Sequence, residues 1–334
     1  MATLNNYSYL TLIELAKRTD PRGGTMAIAE ILNQTNEIIG DMPWIEANDT
    51  FSHKTLRRLS LPEASWRKMN QGVGVGASRT FETVETIGML EAYSEVDVEL
   101  VKAAPDPRAF RMQEAAAFIE GMGQTLAYTM FYGDSGVTPE TFTGLQVRLD
   151  AVAQQNVISQ GNNTNVGNTS VYIVKWGPTQ AHMIYPRGSK SMGISHNDLG
   201  EVTVYTGSAL FGSSTPANNM FQAYRDHFTM KAGFCVRDDR CIARLCNVSF
   251  DGVEASKQLD EDNLIKLLNY MPQRGNGSVL YMERNVMASF DILAKDKTNV
   301  FYQPGSPFGA PQVLFRGHPI HLCDKISTSE AVIA

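Results

Sequence analysis

The chain has 334 residues, of which 43% are hydrophobic and 19% charged, and it carries a net charge of −6. That balance sustains a sizeable core and excludes a disordered or low-complexity chain. The acidic excess argues against a dedicated nucleic-acid binder, although a local basic patch can still meet phosphate.

The start, MATLNNYSYL, has neither the basic opening nor the apolar run of a secretory signal. Two short helices are predicted next, at 10–17 and, after the breaker DPRGG (20–24), at 26–39. Ile28, Ile31, Leu32, Thr35, Ile38 and Ile39 recur at helical spacing in the second. Such a stripe near a terminus must dock on something, and a neighbouring chain is one candidate.

Residues 51–61 and 79–90 read as two strands. The first carries His53, Lys54, Arg57 and Arg58, and the second carries Glu82 and Glu85, with Glu91 just beyond. Opposite charges on paired strands support each other. Neither strand has one clean apolar face, so the ribbon looks poorly buried by its own chain. The connection, SWRKMNQGVGVGASRTF (65–81), is about 17 residues long, a length that is usually functional or disordered. Its Gly72, Gly74 and Gly76 are spaced G-x-G-x-G and lie between no apolar strand and no helix. Both a dinucleotide fingerprint and a P-loop are therefore excluded. What remains is a solvated tip or a loop made to lie on another chain. Trp66 and Arg67 are residue types enriched where proteins meet.

Residues 107–132 form the longest predicted helix. Pro107 suits a first turn, and Gly133 is placed to stop it. Met112, Ala116, Ile119, Met122, Leu126 and Met130 make one stripe, which reads as core. The window 115–132 is the most apolar in the chain, but Glu120, Gly121, Gly123 and Gln124 interrupt it, so it is no membrane span. The following Gly133-Asp134-Ser135-Gly136 resembles the GDSG of trypsin-like proteases. It ends a helix, however, and His53 lacks the setting of a catalytic base, so a turn is the better reading.

The Asn/Gln-rich stretch 151–169 reads as a surface loop. Strands are predicted at 170–176, 181–185 and 201–205. Residues 228–236 and 241–248 look like a hairpin around Arg237-Asp238-Asp239-Arg240. Asp260-Glu261-Asp262 favours the start of a helix through Tyr270. A short strand at 279–282, a helix through Lys295 capped by Asn285, and a closing strand at 313–323 follow.

Cys235, Cys241, Cys246 and Cys323 contain no C-x-x-C pair, so buried free thiols in a reducing compartment are expected. His53, His182, His196, His227, His318 and His321 form no metal-ligand spacing and read as structural. No catalytic residue, metal or cofactor is assigned.

Taken in order, these parts resemble a tailed-bacteriophage major capsid protein of the α+β Hong Kong 97-type fold, similar to the short-tailed phages (podoviruses) of the epsilon15 and Bordetella phage group. The residues that carry the resemblance are LAKRTDP (15–21), IAEILNQTNEII (28–39), DMPWIEAN (41–48), LPEASWRKMNQGV (61–73), GMLEAYSEVD (88–97), TFTGL (141–145) and FRGHPIHLCDKI (315–326), spread over nearly the whole chain.

The resemblance implies an N-terminal arm (1–47), an E-loop laid over the adjacent subunit (48–90), a P-domain (91–250) with the spine helix 107–132 and a sheet, and a mainly C-terminal A-domain (251–334). The long hairpin 221–250, placed before the last helices, suggests permuted connectivity. The tip GVGVGAS is richer in glycine than relatives lead one to expect.

The implied function is self-assembly into hexamers and pentamers of an icosahedral head enclosing double-stranded DNA, in a virion assembled in the bacterial cytoplasm. Implied partners are further copies of the chain, a scaffolding protein, a portal at one vertex, a decoration protein and non-specifically packaged DNA, with no membrane. The intersubunit contact would fall on Arg57, Arg58, Trp66, Arg67, Lys68, Gly72, Gly74, Gly76, Glu82 and Glu85. The sequence gives no reason to place an acid and an asparagine beside Lys54 or Lys68, so covalent cross-linking between subunits is not expected. Two other readings stay open on the residues alone: an intracellular enzyme with a dispersed site, and an inner-shell or nucleic-acid-binding protein.

Overall fold

The computed structural model describes residues 34–162, 167–189, 193–206, 219–249, 259–296 and 314–333. In chain order the helices are α1 (Ile38–Asp41), α2 (Val98–Ala103), α3 (Pro107–Tyr132), α4 (Leu145–Arg148), α5 (Glu261–Tyr270) and α6 (Arg284–Asp296). The strands are β1 (Trp44–Glu46), β2 (Ser52–Ser60), β3 (Arg79–Asp97), β4 (Val157–Ser159), β5 (Asn168–Lys175), β6 (Ala181–Tyr185), β7 (Ser195–Thr206), β8 (Asn219–Val236), β9 (Ile242–Ser249), β10 (Ser278–Met282), β11 (Leu314–Phe315) and β12 (His318–Leu322). The contacts divide the chain into two compact units.

The first unit takes in described residues 89–125, 193–206 and 219–231. Asp97 starts α2 by accepting the Glu99 N–H at 2.8 Å, a side-chain cap. Val96, Leu100, Val101, Ala104 and Phe110 form its small core. β7 pairs antiparallel with β8, with a register shift between Asp198 and Glu201. Asp226 is buried and held by Arg111 and His196, both at 2.9 Å. Arg111 also meets Asp198 at 2.9 Å and lies over the Tyr224 ring.

The second unit takes in described residues 34–88, 126–162, 167–189, 232–249, 259–296 and 314–333, and it holds two sheets. One follows the order β1-β6-β8-β3-β2, using the end of β8 and the start of β3. The other follows β11-β12-β10-β5-β9-β4. Every residue of β5 and β9 is buried. Helix α5 lays Leu264, Leu267 and Leu268 against Val171, Ile173, Ala243, Leu245 and Leu280, and α6 adds Val286 and Phe290. Burying a Leu or Phe side chain contributes roughly 1.5–3 kcal/mol, so this face is a large hydrophobic term of the unit.

Several sequence expectations hold. The two ribbon strands, the second running on to Asp97 and not ending at residue 90, the bounds 107–132 of the long helix, and the free, buried state of all four cysteines are as read. The GDSG is a turn: Gly136 N–H donates to Asp134, and the Ser135 hydroxyl meets Thr143 rather than an imidazole.

Others are corrected. The helix at 10–17, and residues 26–33 of the next, lie outside the described residues. Of 34–39, only Ile38 and Ile39 are helical. The backbone before them bonds instead to the closing segment, with Asn36 bridged to Cys323 and Glu37 N–H given to the Leu322 carbonyl. The stripe on α3 is not uniformly core: Met112 and Ile119 are 63% and 45% exposed, whereas Phe110, Met122, Leu126, Ala127, Met130 and Phe131 are buried. Apolar residues occur all round this helix, so spacing alone did not choose its buried face.

Gly133 stops α3 by close packing and not by a left-handed cap. A Cβ there would lie 2.4 Å from the Phe142 carbonyl, and Gly144 N–H donates to the Gly133 carbonyl at 2.8 Å. The stretch 151–169 contains β4, and its Asn156, Asn162 and Asn168 are buried and hydrogen-bonded. Strands β8 and β9 form no hairpin. The one-turn 3-10 helix Asp239–Cys241, started by Asp238 accepting the Arg240 N–H, passes the chain from one sheet to the other. The premise for permuted connectivity falls with that hairpin. Helix α6 is capped by the Glu283 carboxylate, which accepts the Asn285 N–H at 2.7 Å, and not by Asn285.

Candidate assembly interface

The ribbon has a clamped root and an uncovered tip, both within the second unit. At the root, β2 and β3 pair in antiparallel register from Ser52↔Thr86 to Arg58↔Thr80, with an irregularity before Ser60↔Arg79. The ladder sets Lys54 opposite Val84, Leu56 opposite Glu82 and Arg57 opposite Phe81. His53 faces Glu85, but Lys54, Arg57 and Arg58 face no acid directly, so the charge-paired ribbon expected holds only at its root.

The root charges are met elsewhere in the same chain. Glu85 is buried and takes a two-pronged bond from Arg148, at 2.9 and 2.6 Å. Arg148 lies over the Phe234 ring and also donates to the Phe234 carbonyl. Arg57 reaches Asp239 at 2.6 Å and bonds the Val236 carbonyl. A bidentate Arg–carboxylate pair is among the stronger polar contacts, and burial raises the cost of breaking it. Gly88 packs so closely that a Cβ would lie 2.7 Å from the Glu140 carbonyl.

Beyond the root, every residue of 58–82 is exposed. Leu59, Leu61, Met69, Val75 and Phe81 are among them, and Trp66 is fully exposed. A lone globular chain seldom shows so much contiguous apolar surface. Asn70 adopts a positive φ of 64°, closing a turn in which Gln71 N–H donates to the Lys68 carbonyl. Among the described residues, none but its chain neighbours comes within 4 Å of a Cβ built on Gly72 or Gly74, whereas at Gly76 Pro62 lies 3.0 Å away.

The ten residues singled out in the sequence thus fall into two groups. Arg58, Trp66, Arg67, Lys68, Gly72, Gly74, Gly76 and Glu82 lie on the exposed segment. Arg57 and Glu85 belong to the root and already have partners in their own chain. Sequence reading missed Arg148 and Asp239, the partners that hold the root. Neither stands in a motif, and each is far from the ribbon in sequence.

A further tie fixes the end of the chain. Asp41 accepts both the Tyr281 hydroxyl at 2.7 Å and His321 at 2.5 Å. Trp176 Nε1 donates to the Tyr281 oxygen at 2.7 Å. The Asp41 carboxylate raises the pKa of the His321 imidazole above its ordinary value. Among the described residues no helix is long and apolar enough to cross a membrane.

The exposed apolar segment on a clamped root has no cover from its own described residues, and comparison with known proteins gives the family. The sequence matches the family described as Major capsid protein GP7 over residues 20–334. The chain belongs to this family. Its fold is similar to the cryo-EM structure of bacteriophage epsilon15, with 25% identity, a TM-score of 0.74 and 99% of each chain covered. Weaker likenesses are the capsid of the bacteriophage JBD30 (10% identity, TM-score 0.42, 96% of each chain) and that of a native GTA particle (9%, 0.47, 73% of this chain and 99% of that one). No curated protein matches the sequence.

The GP7-family chain is thus a major capsid protein of an icosahedral phage head, with the α+β Hong Kong 97-like fold. Its family is structural, and its place is the virion capsid.

Proposed function

We propose that this major capsid protein builds hexamers and pentamers in which residues 58–82 lie on the adjacent copy as an intersubunit clasp. The observation that carries this reading is the fully exposed Trp66, set among exposed Leu61, Met69 and Val75 on a segment whose root is fixed by Arg148–Glu85. The root holds the ribbon out, and the tip lacks the apolar cover that a neighbour supplies. Arg58, Arg67 and Lys68 meet acids of that neighbour. The open space around Gly72 and Gly74 lets a second backbone approach closely.

In this reading residues 1–47 are the N-terminal arm, 48–90 the E-loop, 91–250 the P-domain and 251–334 mainly the A-domain. Assembly takes place in the host cytoplasm with a scaffolding protein and a portal at one vertex, and the outer face is open to a decoration protein. The net charge of −6 keeps the lining from gripping packaged double-stranded DNA tightly. Electron microscopy of the expressed chain, with and without its scaffolding partner, tests the reading. Closed shells or capsomers support it, and a chain that stays monomeric at high concentration with its scaffold present refutes it.

A further inference from the structure

His53 on β2, His182 on β6 and Cys235 on β8 converge beside the ribbon root. Each offers one ligand atom, and these atoms all lie within 4.8 Å of one another. His182 and Cys235 have no solvent exposure, and His53 has 4%. His182 and Cys235 are direct partners across the β6–β8 ladder. The His53 and His182 rings stand edge to face, 5.9 Å between centroids.

Hydrogen bonding does not account for this grouping. Apart from a weak backbone contact with Gly177, neither ring nitrogen of His182 has a well-formed hydrogen bond among the described residues. His53 faces donors on both sides, Asn48 N–H at 3.2 Å from Nδ1 and the Arg237 guanidinium at 3.3 Å from Nε2. A neutral imidazole has one lone pair to give. Buried polar groups are almost always satisfied, and a fully buried imidazole this weakly partnered is an exception that a ligand would account for.

We propose that His53, His182 and Cys235 form a buried three-ligand site for a thiophilic d10 cation, Cu⁺ in preference to Zn²⁺, that clips β2, β6 and β8 together at the ribbon root. Two imidazoles and one thiolate are the donor set such ions select. Metal–nitrogen and metal–sulfur bonds of about 2.0–2.3 Å need ligand atoms about 3.5–3.8 Å apart, so closure asks for a side-chain shift of about 1 Å. Charge sets the preference. One thiolate neutralises Cu⁺ but leaves Zn²⁺ with a surplus positive charge beside Arg237, and the Glu85 carboxylate opposite His53 is already taken by Arg148. Binding breaks the Cys235 S–H bond, forms the S–Cu bond and releases one proton to solvent, with no change of oxidation state.

The test is an anaerobic titration of the full-length chain with Cu⁺ against a chromophoric Cu⁺ chelator, and a parallel titration with Zn²⁺. One Cu⁺ per chain, a thiolate-to-copper charge-transfer band and a raised melting temperature are expected. Loss of a supporting outer partner weakens metal sites by about 10–100-fold, so Cys235→Ala and His182→Gln, which remove ligands, should weaken binding by about 100-fold or more. Cys323→Ala should leave it unchanged. Arg237→Gln should tighten Zn²⁺ more than Cu⁺.

Absence of stoichiometric binding, or binding indifferent to Cys235→Ala, overturns the site. Tighter binding of Zn²⁺ than of Cu⁺ overturns the charge argument. Should the variants fail to fold, X-ray absorption of the loaded native chain decides. One sulfur and two nitrogen donors support the site, and any other set refutes it.

Discussion

The Arg244 guanidinium and the Glu330 carboxylate meet at 2.8 Å with both side chains sealed from solvent. Ser170, Tyr172 and Tyr132 bond the same carboxylate, and Arg244 also donates to the Leu149 carbonyl. A residue close to the end of the chain thus closes a buried polar network under β5 and β9. The Tyr132 and Tyr172 hydroxyls are pushed well above the usual range, by burial first and then by neighbouring charge, so both stay protonated donors.

Breaking that pair should cost the fold heavily. Glu330→Gln or Arg244→Met leaves the other charge buried without its partner, at about 3–5 kcal/mol. Chemical denaturation of the free subunit should show a loss of that size. A loss below about 1 kcal/mol would mean that the site relaxes or admits water.

Glycines should separate by position. At Gly133 an added Cβ meets backbone oxygen at 2.4 Å, while at Gly74 it meets nothing within 4 Å. Gly133→Ala should destabilise the subunit by about 1–3 kcal/mol, the usual cost of overpacking. Gly74→Ala should leave its melting temperature unchanged. Equal effects at both positions would contradict the role given to the α3 stop.

These cases show what the sequence made legible. Local signals sufficed for the ribbon, for Pro107 to Tyr132, and for Asp260 at the start of α5, because each depends on neighbours in sequence. Choice of partner did not. Arg237-Asp238-Asp239-Arg240 between two strand-like runs reads as a hairpin tip, yet Asp238 folds it into a 3-10 turn and β9 joins another sheet. Asn156, Asn162 and Asn168 read as solvent-facing, because an amide satisfied by distant backbone looks the same in sequence as one satisfied by water. At the candidate interface the exposed tip was legible from its missing apolar face. The root was not, since Glu85 and Arg57 are claimed by Arg148 and Asp239 from far along the chain.

The His321–Asp41 pair predicts a pH dependence. Because the folded pKa of His321 is raised above 6.5, its contribution is fully present below the unfolded value and is lost as pH rises through the folded one. The facing groups are Asp41, Glu37 and the Tyr281 hydroxyl. Melting temperatures of the native chain and of His321→Gln, compared from about pH 6 to 9, should converge as pH rises. A gap that stays constant across that range would refute the assignment.

Mature particles should not be covalently linked. Lys54 and Lys68 are both exposed. Contrary to expectation, Asn48 and Asp49 of the same chain do lie near Lys54, but the Asn48 amide is spent on the Lys54 backbone, at 2.9 and 2.7 Å. Boiled in detergent, particles should run as one band near 36.8 kDa. A ladder of multiples that survives reductant would overturn this expectation.

The division between root and tip is tested most directly by measuring particle yield in sedimentation beside the stability of the free subunit, for Trp66→Ala and for Arg67→Glu/Lys68→Glu. Truncating an interface tryptophan typically costs about 2 kcal/mol or more at each contact, and a shell repeats the contact at every subunit. The account predicts free subunits with native circular dichroism and melting temperature, and a steep loss of assembled particles. Variants that assemble at native yield, or whose free subunits unfold, would contradict it.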